Sequence, residues 1–249
     1  MLFAIKRKSF KVVNLLLSIS KDANHCNKSK VSALSIACGA GSLELVKLLI
    51  DEGAEVDSSG IDNLKKAQGD SPGKNILTPL MCAAKNDHSE IVEYLVEEAG
   101  AYMEAKDVEQ KTALLWSLEG VPDANALKML LKLGANPYAK DIRGETALHI
   151  AAFHNRSKMA EILLEEEPDL IDALNDDFKM PIHLAIYQDF RNEDYVKYSS
   201  FDEWKTTKKG NMEVLQVLLK FNPDLDYRDQ DGMTLLHYAL KERGIADVE

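Results

Sequence analysis

The chain has 249 residues, 45% hydrophobic and 29% charged, the balance of a soluble folded protein with a sizeable core rather than a disordered one. A formal charge of −11 argues against a nucleic-acid backbone as the main partner, because phosphate binding needs clustered Lys and Arg. Cys26, Cys38 and Cys82 cannot all pair and show no Cys-x-x-Cys spacing, which fits a reducing compartment, and the longest uncharged stretch, Val31 to Leu43, is 13 residues, short of the roughly 18 that span a bilayer.

In chain order, residues 1–27 open with Lys6-Arg7-Lys8, an apolar run from Val12 to Leu17, and Ser18-Ile19-Ser20. That layout matches a cleavable leader. Ala4, Val13, Leu15, Leu16 and Asn24 also sit at the offsets of a unit that recurs downstream, so the stretch reads as part of a repeat. Ser32 to Cys38 (Ser-Ala-Leu-Ser-Ile-Ala-Cys) opens the next unit, followed by Leu45-Val46-Lys47-Leu48-Leu49 and Gly53-Ala54. Residues 58–76 carry Gly60, Gly69, Pro72 and Gly73 and read as a loop insertion. Thr78 to Ala84 (Thr-Pro-Leu-Met-Cys-Ala-Ala) restarts the pattern, which continues through Ile91-Val92, Tyr94-Leu95 and Gly100-Ala101. It returns at Thr112 to Leu118 with Gly134-Ala135, and at Thr146 to Ala152 with Met159-Ala160 and Ile162-Leu163. Met180 to Ile186 is separated from Val214-Leu215 and Val217-Leu218 by a second insertion, 189–209, and Thr234 to Leu240 opens the last unit. The six opening residues lie 46, 34, 34, 34 and 54 apart, a period near 33 lengthened twice by insertions. Gly244 to Val248 reads as the start of a helix that is cut off, so both ends fall inside a repeat, as in a segment of a longer chain.

The physics of one unit explains its residues. Thr accepts a backbone N–H as a helix N-cap, and Pro79 and Pro181 occupy the first helical position, where no donor is missed. Leu80, Leu114, Leu148 and Leu236 are expected in the core between helices, with a small Ala pair letting neighbouring first helices approach closely. The second helix carries apolar residues at i, i+3, i+4 spacing, and a glycine follows it as a left-handed cap. One such unit cannot bury its own apolar face, so stability is shared between neighbours.

The recurring Thr-Pro-Leu-His-x-Ala signature resembles the ankyrin-repeat family. The likeness covers essentially the full chain in about seven units, at 1–27, 28–57, 74–107, 108–141, 142–175, 176–229 and a partial 230–249, drawn as one domain. It implies an all-α repeat solenoid of stacked helix–turn–helix units with β-hairpin-type loops. It also implies that His149, His183 and His237 are structural, each bonding its Thr and neighbouring backbone; Met180 removes the Thr for His183. Stacked roughly 10 Å apart, one per repeat, they are too far apart to share a metal. Cys38 and Cys82 read as buried small hydrophobes. Asp229-Gln230-Asp231-Gly232 lacks the acids that an EF-hand needs at Tyr227 and Tyr238. No phosphate loop, nucleophile elbow or His-Glu-x-x-His is present, so no catalytic, metal or cofactor residue is assigned and no enzyme activity is expected.

Ankyrin proteins usually bind through hairpin tips and the concave face made by the first helices. Carried to this sequence, that implies Glu109, Lys111, Arg143, Glu145, Phe153, His154, Lys179, Tyr187 and Gln188 as partner-binding candidates. Phe153 and Tyr187 lie 34 apart, at equivalent positions; side by side they make a binding hot spot, unless they tuck under the nearby insertion. That insertion holds Phe190, Tyr195, Tyr198, Phe201 and Trp204, with five acidic and five basic residues in balance; it either presents aromatics to a partner or packs back. The family is also a frequent substrate of asparaginyl hydroxylases. Asn24, with Leu16 and Asp22 before it, is the candidate, since the equivalent Asp57, Glu104, Tyr138 and Asp226 are not Asn. The expected function is a protein-interaction scaffold or adaptor. The alternatives are a regulatory or targeting segment of a larger enzyme or channel, or a microbial effector acting on host proteins. A cytoplasmic monomer is expected, without nucleic-acid binding or membrane insertion; a nuclear or host-cell location stays open.

Overall fold

A computed structural model describes residues 1–20, 22–27, 31–57, 77–186 and 212–237. The fold class is an all-α repeat solenoid, and among the described residues there are helices and turns but no strand. The chain divides into two compact units, Met1–Ile142 and Arg143–Glu249, where the sequence reads as one domain.

In the first unit, short first helices α1 (Leu2–Lys6), α3 (Ala33–Ala40), α5 (Pro79–Lys85) and α7 (Ala113–Glu119) alternate with second helices. The latter are α2 (Phe10–Ser20), α4 (Leu43–Asp51), α6 (Ser89–Glu97) and α8 (Asn125–Lys132). First helices pack on first helices, α1 on α3, α3 on α5 and α5 on α7, and the second helices line up likewise. In the second unit, α9 (Ala147–Phe153) packs on α11 (Pro181–Ile186), and α10 (Ser157–Glu166) on α12 (Met212–Lys220), with a 3-10 helix at Pro168–Asp172.

Several helix starts follow the local chemistry. Ser32 Oγ accepts the Ser35 amide at 3.0 Å, and Thr78 Oγ1 accepts the Met81 amide at 3.2 Å. At Thr146 the helix is closed differently: the Thr146 amide donates to His149 Nδ1 at 3.3 Å, and the hydroxyl sits 2.9 Å from the same nitrogen. Thr112, expected to cap α7, has a buried hydroxyl with no hydrogen-bond partner among the described residues. Leu115 stands where His149 stands in the next repeat and offers no nitrogen.

The expected hairpins are tight turns rather than strand pairs, apart from one antiparallel bridge between Cys26 and Ser32. A side chain does the work of a ladder: Asp107 Oδ1 accepts the Glu109 and Lys111 amides at 2.9 and 2.8 Å. Asn175 and Asp229 do the same for Asp177 and Lys179, and for Asp231 and Met233. Leu80, Leu114 and Leu148 are buried as expected, but Leu236 is 66% exposed; its register neighbours, residues 238–249, lie outside the described part.

Candidate interaction surface

In the first unit the hairpin at 107–111 and helix α7 form one polar–aromatic cluster. Lys111 was expected at the surface, yet its side chain is 6% exposed, because the ammonium lies 2.7 Å from Glu109 Oε2 and 2.6 Å from Glu119 Oε1. The Trp116 indole donates to Asp107 Oδ2 at 3.0 Å, while Lys85 and Lys111 place their ammonium groups 4.2 and 5.3 Å from its ring centroid. Burial pushes the Asp107 carboxyl above its ordinary range, against hydrogen bonds from the Lys111 and Glu109 amides and the Trp116 indole. For Lys111, burial acts downward, but Glu109 and Glu119 together overcome it and leave the ammonium above the ordinary lysine value.

In the second unit, Arg143 is half exposed and its Nη2 lies 3.3 Å from Glu145 Oε2; Glu145, a second expected surface residue, is buried. Pairing explains both departures, since a buried charge is tolerated when its partner and hydrogen bonds come with it. Phe153 ends α9, half-buried, with the His154 ring edge-on at 5.1 Å between centroids. Lys179 is half-buried, and its carbonyl accepts from His149 Nε2 at 2.9 Å. Tyr187, Gln188, Tyr195, Tyr198, Phe201 and Trp204, and both insertions, lie outside the described residues.

His183 Nδ1 accepts the Met180 amide at 3.3 Å, which requires that nitrogen to be unprotonated. Burial lowers its pKa below the ordinary histidine value, opposed by Asp229 and reinforced by Lys179. A depressed folded pKa means that the stability held by neutral His183 is complete above about pH 6.5 and is lost as pH falls through the folded value. The thermal midpoint of the second unit is therefore expected to fall as pH drops below about 6.5. His183→Leu, the residue type that Leu115 supplies at the equivalent place, should flatten that part of the dependence in calorimetry. An unchanged slope would remove His183 from the account.

Asn24 is exposed, and its amide is engaged on both sides: Nδ2 donates to the Gly53 carbonyl at 3.2 Å and Oδ1 accepts the Glu55 amide at 2.8 Å. Burial pushes the Cys82 thiol up to about 11 and Cys38 well above its usual value, leaving little thiolate at neutral pH. Among the described residues no three His, Cys, Asp or Glu side chains are placed to hold a metal ion, and no helix is long and apolar enough to cross a membrane. Reasoning from sequence passed over the apolar groups that the hairpins expose. These include Tyr102, Val108, Tyr138 and Ile142 in the first unit and Phe178 and Leu225 in the second. Their signal was present, as apolar residues in hairpin positions, most of which other repeats fill with Asp, Asn or Gly.

Stacked helix pairs with short polar hairpins define a repeat module of the kind that generally serves protein–protein interaction. Family models described as "Ankyrin repeats (3 copies)" match residues 1–72, 61–141 and 122–198, and one described as "Ankyrin repeats (many copies)" matches 207–243; the chain belongs to the ankyrin-repeat family. It is 24% identical to ankyrin repeat protein L371 of Acanthamoeba polyphaga mimivirus, over 94% of this chain and 29% of that protein. It is 27% identical to the E3 ubiquitin-protein ligase KEG of Arabidopsis thaliana, over 86% of this chain and 14% of the ligase. With inversin of Canis lupus familiaris it shares 27% identity over 69% of this chain and 18% of inversin, so it spans well under a third of each of these relatives. The crystal structure of the human ASB11 ankyrin repeat domain superposes with a TM-score of 0.71 at 19% identity, covering 95% of this chain and 90% of that one, a likeness of fold.

Proposed function

We propose that this chain is a protein-interaction module that engages a partner protein through its hairpin loops and the ends of its first helices. In the second unit the reading rests on Arg143, Phe153, His154 and Lys179, and in the first on Glu109. Within the first unit Lys111 holds Glu109 in an ion pair, and within the second Glu145 holds Arg143. Tyr187 shares the repeat position of Phe153, and Tyr187, Gln188 and the insertion residues Tyr195, Tyr198, Phe201 and Trp204 are proposed to contribute to binding. The observation that carries the reading is the half-exposed ring pair Phe153–His154 at the end of a first helix. Aromatic side chains so placed supply large contact area at little entropic cost.

The test starts from a partner recovered by pull-down and identified by mass spectrometry. Phe153→Ala is expected to weaken its binding more than tenfold, the scale of a hot-spot truncation, with the thermal midpoint nearly unchanged. Lys158→Ala, on the exposed side of α10, should change neither quantity. A midpoint lowered by several degrees with an unaltered dissociation constant would make Phe153 a packing residue and sink the reading. A second reading, a regulatory or targeting segment within a larger enzyme or channel, is favoured by the relatives, which include a ubiquitin ligase and a cation channel and are several times longer than this chain. Sequencing the full transcript separates the two. Both readings place the module in the cytoplasm.

A further inference from the structure

The hairpin tips of this repeat turn through one residue in the left-handed region. Gly144 and Gly232, both at φ 71°, fill that place in two hairpins, and Gln110, at φ 62°, fills it in another. In the 175–179 hairpin the same place is taken by Phe178, at φ 55°. A bulky side chain is disfavoured there, because Cβ crowds the backbone.

Two of the other non-glycine residues in this conformation also bond through their side chains. Asp87, at φ 58°, accepts the Ala126 amide at 2.7 Å, and Asn155, at φ 51°, accepts the Val214 amide at 3.3 Å. Phe178 has no polar side-chain atom to do so. Its own amide closes the turn on the Asn175 carbonyl at 3.0 Å, a bond that any residue but proline would make. Nor does burial account for the ring, which is 46% exposed. A phenyl group kept in a strained and open place, with neither local bonding nor core packing to hold it there, is accounted for by contact with something else.

The surroundings indicate the chemistry of that contact. Asp176 and Asp177, next to Phe178, are both exposed, as is Asp172. The neighbouring Arg143 is turned to Glu145, and its carbonyl accepts the Asp176 amide at 3.1 Å, which fixes the tip. The tip therefore presents one exposed aromatic ring with two exposed acidic residues, Asp176 and Asp177, next to it in the chain.

We propose that Phe178 anchors a binding site at this hairpin tip for a protein segment that carries aliphatic side chains beside Lys or Arg. The site rests on the interaction reading above and names the partner's chemistry. Its test is a random-peptide phage library selected on the full chain, followed by affinity measurement of the enriched synthetic peptides on wild type and on Phe178→Gly. The expected peptides pair aliphatic residues with Lys or Arg and bind Phe178→Gly at least tenfold more weakly. Because glycine relieves the backbone, the thermal midpoint of that variant should stay level or rise by up to about 4 °C. Asp176→Asn with Asp177→Asn should weaken the same peptides, and less so at high salt, where screening has already removed the attraction. Peptides that bind Phe178→Gly as well as wild type, or a midpoint that drops by several degrees, overturn the site. If no peptide binds the wild type, the site is also overturned. In each case the broader interaction reading is judged separately, by Phe153→Ala with the recovered partner.

Discussion

Trp116→Ala is expected to cost the first unit about 3–5 kcal/mol, the range for truncating a buried aromatic, and to lower its midpoint by roughly 6–20 °C. The ring is 6% exposed, and its loss removes more than apolar contact. Asp107 loses its indole donor, although its carboxyl is already burdened by burial, and the Lys85 and Lys111 ammonium groups lose the ring beside them. Trp116→Phe separates these effects. It keeps most of the packing and gives up the Nε1 bond, and should cost about 1–3 kcal/mol. Urea titration followed by circular dichroism reads both variants. Since repeats are stabilised by their neighbours, the helical signal should be lost from the first unit ahead of the second. A loss below about 1 kcal/mol for the alanine variant would show that the cluster is ornamental.

Gly120→Ala should be nearly as severe, at about 2–4 kcal/mol, although only one methyl group is added. A Cβ at Gly120 would overlap the backbone carbonyl of Lys85 in the adjacent repeat, where the Val121 amide donates to that same oxygen at 3.1 Å. Backbone cannot swing aside as a side-chain tip can, so α5 and α7 would have to part. Gly53→Ala makes the control. Gly53 has φ 88° and open space around it, so its cost is conformational, about 1 kcal/mol. Equal losses for the two variants, measured by denaturant unfolding, would refute the steric account of Gly120.

The sequence by itself determined the register, because the repeat is a local pattern and its chemistry acts over a few residues. Ser32 and Thr78 cap their helices, and His149 and His237 bond the Thr three residues before them. Asn24, Asp57 and Glu104, equivalent by register, each accept a backbone amide of the following repeat, from Glu55, Tyr102 and Asn136. A one-residue slip would have broken all three. Burial and close approach were decided only by the tertiary structure. A lysine and a glutamate at hairpin positions read as surface, and Lys111 and Glu145 are buried because Glu109, Glu119 and Arg143 come to meet them. Thr112 reads as a cap and makes no such bond. The Lys85 carbonyl lies against Gly120 and the backbone of Phe178 is left-handed, and neither fact is written in the local pattern. Helix propensity and capping are written within a few neighbouring residues, whereas the burial of a charge or the space left for a methyl group depends on which atoms the fold brings around it, from the same repeat for Lys111 and Glu145 and from the adjacent repeat for Gly120.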